Sequence, residues 1–138
     1  MPQTPCHVPL LQRTPTACLW LGLLLLLLVS GVARAQSAPA PAIQLDLTGA
    51  IGPAATEYVE RGLAQAAEAD APFVILRIDT PGGLVSSMRD INRAILGAPM
   101  PVIGYVAPGG AQAASAGAFI LYATHLAAMA PGTNVGAA

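Results

Sequence analysis

Phe73-Val74-Ile75-Leu76-Arg77-Ile78-Asp79-Thr80-Pro81-Gly82-Gly83 decides the fold. The aliphatic and β-branched run Phe73–Ile78 reads as a buried strand. Thr80-Pro81-Gly82-Gly83 reads as the turn that ends it. Leu84, Met88, Ile91 and Ile95 then recur at helical spacing until Gly97 and Pro99 stop the helix. The order repeats: Pro101–Val106 is a third strand, Ala107-Pro108-Gly109-Gly110 a second Pro-Gly-Gly turn, and Gln112–Ala123 a helix of small residues. Upstream, Ile43–Leu47 alternates like a half-buried strand. Gly52-Pro53 opens a helix with Ala55, Val59, Leu63 and Ala66 on one face, Glu57 and Arg61 four apart outside, and Asp70-Ala71-Pro72 at its end. Leu126–Ala130 is a short fourth strand, closed by Pro131-Gly132. Strands alternating with helices imply parallel strands covered by helices, and so an α/β domain.

The 138 residues are 54% hydrophobic and 9% charged, and much of the excess is local. Arg13 precedes an apolar core, Cys18–Val32, which contains the unbroken run Leu23–Leu28 and is followed by Ala33-Arg34-Ala35. This is the pattern of a secretory signal peptide cleaved before Gln36. The expected organisation is residues 1–35 as signal peptide, 36–42 as a Pro/Ala linker and 43–138 as the exported domain. Both cysteines, Cys6 and Cys18, fall in the leader, so the exported part has no disulfide framework, thiolate metal site or cysteine nucleophile. It keeps four arginines against seven acids, a net charge of −3, and offers no basic patch for nucleic acid. With His125 as its sole histidine it suggests no metal centre, and Gly109-Gly110 lacks the Lys-Ser/Thr of a phosphate loop. No cofactor is expected.

Two segments could carry chemistry. In Ala113-Ala114-Ser115-Ala116-Gly117 a serine stands at a helix start among small neighbours, where unpaired backbone N–H groups can bind an oxyanion. In Asp79-Thr80-Pro81-Gly82-Gly83, adjacent glycines permit close backbone approach. Each has a plainer reading, a small-residue packing helix and an ordinary turn. Ends of parallel strands share one sheet edge, which is where ligands bind, so the two segments can converge. Asp79 is expected to cap the Thr80–Gly83 turn, Asp46 to lie on the less buried face of its strand, and Arg89, Asp90 and Arg93 to be solvated.

Three segments together carry a resemblance: Leu76–Leu84, Gly110–Gly117 and Ala128–Ala138. In this order they look like the N-terminal protease domain of NfeD-type membrane-bound proteins, within the ClpP/crotonase superfamily. The resemblance implies a stacked ββα superhelix. It puts the nucleophile at Ser115, the oxyanion donors at the N–H groups of Gly83 and Ala116, and the substrate groove near Gly82, Gly110 and Gln112. It further implies an ATP-independent serine endopeptidase acting on hydrophobic segments of stomatin-like membrane proteins, a homo-oligomer, and membrane association of the long family form. Gln112 stands where many relatives carry arginine. The family pairs its serine with a downstream lysine, and this sequence contains no lysine. A lysine base works when burial lowers its pKa, and a serine without a base is a poor nucleophile. His125 lies too far along the same helix to substitute, roughly 15 Å for ten residues. The sequence stops just after its last strand, so the domain is expected to be incomplete at the C-terminus. Two alternatives stay open, a noncatalytic peptide-binding module and an acyl-CoA enzyme of the crotonase type, the latter disfavoured by the export signal.

Overall fold

The computed structural model describes residues 40–136. The leader expected over 1–35 and most of the 36–42 linker lie outside the described residues. Six strands and three helices follow in the order β1 (Ile43–Thr48), α1 (Pro53–Glu68), β2 (Val74–Asp79), α2 (Val85–Leu96), β3 (Val102–Val106), β4 (Gln112–Ala114), α3 (Ala116–Ala123), β5 (Leu126–Met129) and β6 (Asn134–Gly136). The main sheet is four-stranded, in the order β1-β2-β3-β5, and every pair is parallel.

Register explains why the alternation along each strand works. Leu45, Leu76 and Gly104 are laterally aligned, as are Leu47, Ile78 and Val106, and all of these are buried. The intervening row, Asp46, Arg77 and Tyr105, lies on the opposite face and is more exposed. Arg77 Nε approaches Asp46 Oδ1 at 2.9 Å, as an ion pair without hydrogen-bond alignment. Asp46 is thus on the less buried face, as the alternation implied. Val59, Leu63 and Ala66 of α1 and Ile91 and Ile95 of α2 join the sheet residues in one core. Each fully buried aliphatic side chain there contributes about 1.5–3 kcal/mol.

One element departs from the sequence reading. The helix expected over Gln112–Ala123 is split: Gln112–Ala114 is a strand and the helix begins only at Ala116. Small residues carry a weak helical signal, and tertiary pairing overrides it. β4 pairs in parallel with β6 on one side and bridges Thr80 on the other. A second, smaller layer therefore forms beyond the carboxyl ends of β2 and β3. The sequence β3–β4–α3 is a strand-strand-helix unit, and β5 and β6 begin another by extending the two layers side by side.

Candidate active site

The second layer exists because Thr80 joins three segments. It is fully buried (0% exposed). Its hydroxyl donates to the Gly49 carbonyl and accepts from the Gly82 N–H at 3.0 Å. Its backbone N–H donates to Gln112 O at 2.7 Å, and its carbonyl accepts from Ala114 N at 3.0 Å. Asp79 does not cap the glycine turn, as the sequence reading supposed. Its carboxylate accepts from the Gln112 N–H at 3.1 Å and fastens β4 instead, while Thr80 caps the turn. The role passed to Thr80 because its short branched hydroxyl points inward at the turn, whereas the partly exposed Asp79 side chain faces β4.

The turn is then clamped from the other side. Ile51 N donates to Gly82 O at 2.9 Å and Leu84 N donates to Ile51 O at 2.8 Å. In this parallel bridge Gly83 faces Ile51, and its own N–H points away from the pairing. A Cβ on Gly83 would overlap the Ile51 carbonyl, so only glycine permits the approach. Gly82 has φ +110, and a Cβ there would lie 2.8 Å from Ser115 Cβ. The glycine turn at the end of β2 therefore packs directly against the serine.

Ser115 occupies the corner between β4 and α3 with φ 50 and ψ −114. This is a sparsely populated conformation for a residue with a side chain, costing about 1–3 kcal/mol. It persists because both flanks are fixed: Ser115 N donates to Gly136 O at 2.9 Å, and Ala118 N donates to Ser115 O at 3.0 Å. Ala113, Ala116 and Gly117 are buried against the turn, and their small size lets the corner form. The serine is held outward and exposed. Among the described residues neither Gly83 N nor Ala116 N donates a hydrogen bond. The Ala116 amide is at the first position of α3, where a helix leaves its donors unpaired.

Gly83, Ser115 and Ala116 line one cavity of about 310 Å³ together with Val85, Met88, Arg89 and Phe119. Gly82 lies behind the serine. Gly110 and Gln112 stand outside the cavity: Gly110, at φ +86, forms the turn that closes Ala111 N onto Pro108 O at 2.9 Å, and Gln112 belongs to β4. Sequence reasoning did not place Val85, Met88 or Phe119 beside the serine; it put Arg89 on a solvated face, and Arg89 is exposed while also bordering the cavity. Their spacing carried the signal, since 85, 88 and 89 share a face of α2, and 115, 116 and 119 share one of α3. His125 is engaged elsewhere. Its Nδ1 accepts from Val102 N at 3.1 Å at the far end of α3. Among the described residues no group of His, Cys, Asp or Glu could hold a metal ion.

The sequence model of the family described as "NfeD1b, N-terminal domain" matches residues 43–138, the span whose strand ends build this corner. The chain belongs to that family. The domain is 44% identical over 81 residues to the membrane-bound protease PH1510 of Pyrococcus horikoshii, covering 59% of this chain and 18% of the relative. It is 45% identical over 82 residues to the membrane protein NfeD1b of Bacillus subtilis, again covering 59% and 18%. Among solved structures it matches a lysine-to-alanine variant of the 1510-N membrane-bound stomatin-specific protease in complex with a substrate peptide. That match has TM-score 0.70 and 38% identity over 72% of this chain and 45% of that one. ClpP1 of Listeria monocytogenes, 24% identical with TM-score 0.52 over 59% of this chain and 46% of that one, shares the fold. The chain thus spans about a fifth of its curated relatives and under half of the solved protease domain. The ClpP-like α/β fold expected from the sequence is the one observed.

Proposed function

We propose that this domain carries the nucleophile and oxyanion half of a serine endopeptidase of Ser–Lys type, which cleaves apolar segments of membrane-associated, stomatin-like proteins. The observation that carries the reading is the meeting, on one cavity, of a strained outward serine and two uncommitted backbone amides. In the reaction Ser115 Oγ attacks the scissile carbonyl and its proton passes to the base. The developing oxyanion takes hydrogen bonds from Gly83 N–H and Ala116 N–H, with the N-terminus of α3 adding its positive end. The amine leaves with the proton, and water releases the acyl group from Ser115.

The base in this reading is the lysine that the family pairs with its serine. None of the 138 residues is a lysine. His125 is no substitute, being held by Val102 away from the cavity. The apolar walls supplied by Val85, Met88 and Phe119 suit a hydrophobic substrate side chain. The relative's description as stomatin-specific, and its complex with a substrate peptide, support the substrate class. Export behind residues 1–35 and association with the membrane complete the proposal.

The test is cleavage of a peptide from the apolar segment of a stomatin-like protein by the full-length gene product. Loss of turnover in Ser115→Ala, with binding retained, would establish the reading. Equal turnover by both proteins would sink it. A second outcome of the same test is a peptide-binding domain without hydrolysis, in which the parent binds the peptide and never cleaves it.

A further inference from the structure

Four arginines lie among the described residues, and three are paired with carboxylates. Arg61 meets Glu57 at 3.2 Å, Arg77 meets Asp46 at 2.9 Å and Arg93 meets Asp90 at 3.0 Å. Arg89 has no carboxylate partner among them, although Asp90 is its neighbour in sequence. Adjacent helical residues point in different directions, and Asp90 turns to Arg93, one turn on. The unpaired arginine is the one that borders the cavity with Ser115, and every other lining side chain except the serine is apolar. Val85, Met88 and Arg89 form a single face of α2 opposite Ser115 and Phe119, so an apolar wall grades into one exposed cation.

A cavity of about 310 Å³ is at the small end of ligand pockets, room for one or two side chains. Its residues ask for a matching pair: an apolar side chain against Val85, Met88 and Phe119, and a negative group within reach of the guanidinium. Arginine suits the second role because its planar fork bonds a carboxylate through two N–H groups. Its exposure keeps the unpaired charge solvated and inexpensive before a ligand arrives.

We propose that Arg89 is a specificity-determining residue that reads an aspartate or glutamate side chain placed next to the apolar residue occupying the Ser115 cavity. The substrate segment is then not uniformly hydrophobic but carries one acid at a fixed offset from the apolar side chain. This rests on the peptide-recognition part of the proposed function and not on hydrolysis.

Binding is therefore the readout. Dissociation constants are measured on the full-length Ser115→Ala protein with C-terminally amidated apolar peptides, which differ only in a Glu, Gln or Lys moved through each position. Amidation removes the terminal carboxylate as a competing source of charge. The expected result is a preference for Glu over Gln of about three- to fivefold at low ionic strength, at one position alone, fading at 1 M salt. Arg89→Gln abolishes the preference, and Arg89→Glu transfers it to the Lys peptide. No positional preference in the parent, or one that survives Arg89→Gln, overturns the proposal. Separate cleavage assays on the unsubstituted protein show whether the hydrolytic reading stands, so failure of either is distinguishable.

Discussion

Gly82 and Ser115 are packed so closely that a Cβ on the glycine would stand 2.8 Å from the serine Cβ and 3.3 Å from its Oγ. The contact joins the end of β2 to the corner after β4, two segments more than thirty residues apart. It fixes the serine's position with a surface that has no side chain at all.

Gly82→Ala tests that contact. Alanine must adopt φ +110 and overlap Ser115 together. The expected cost is more than about 2 kcal/mol, combining backbone strain with overpacking. Urea unfolding measures the loss, and peptide binding to the surviving folded protein shows whether the cavity has been deformed. An alanine variant with parental stability and binding would mean that the glycine is not needed there.

Thr80→Val preserves shape and deletes the hydroxyl. The Gly82 N–H loses a partner in a buried hydrogen bond, and the Gly49 carbonyl loses one in a part-buried bond. Orphaned buried groups cost about 1–3 kcal/mol each. A midpoint shift corresponding to at least about 1 kcal/mol is expected, and an unchanged midpoint would remove Thr80 from its joining role.

Ser115 offers a comparison between two substitutions. Ser115→Ala keeps a Cβ at φ 50, whereas Ser115→Gly removes the conformational conflict. Relief of about 1–3 kcal/mol of strain outweighs the 0.5–1 kcal/mol entropic disadvantage of glycine. The glycine variant should therefore melt higher than the alanine variant, and both should lose at least about a thousandfold in turnover if the serine is the nucleophile. An alanine variant that melts above the glycine variant would show the corner to be unstrained.

Oxyanion donation is checked with a peptide boronate, whose tetrahedral adduct on the serine imitates the intermediate. A crystal structure of the adduct should place one boronate oxygen about 2.7–3.1 Å from Gly83 N and Ala116 N. An adduct oxygen directed away from both amides would leave them without the proposed role.

His125→Ala should reduce stability by about 1 kcal/mol, through loss of the bond from Val102 N, and leave turnover within about twofold. A collapse of turnover in a folded variant would reinstate the histidine as a candidate base.

Much of this protein was written in local pattern. Aliphatic runs ending in Pro-Gly-Gly marked β2 and β3, the spacing of Val59, Leu63 and Ala66 marked α1, and the parallel α/β arrangement followed, because strand–helix alternation leaves few other ways to bury one face of each element. The three quoted segments carried the family resemblance, and that resemblance implied roles for Ser115, Gly83 and Ala116. Tertiary structure alone decided that Gln112–Ala114 is a strand, since its pairing partners Thr80 and Asn134–Gly136 are distant in sequence and three small residues carry too little propensity to announce it. It alone gave the turn to Thr80 instead of Asp79, and showed that the solvated Arg89 also borders the serine's cavity. Hydrophobic periodicity records which side of an element faces the core. It says nothing about which two partly exposed faces, here one of α2 and one of α3, border the same opening.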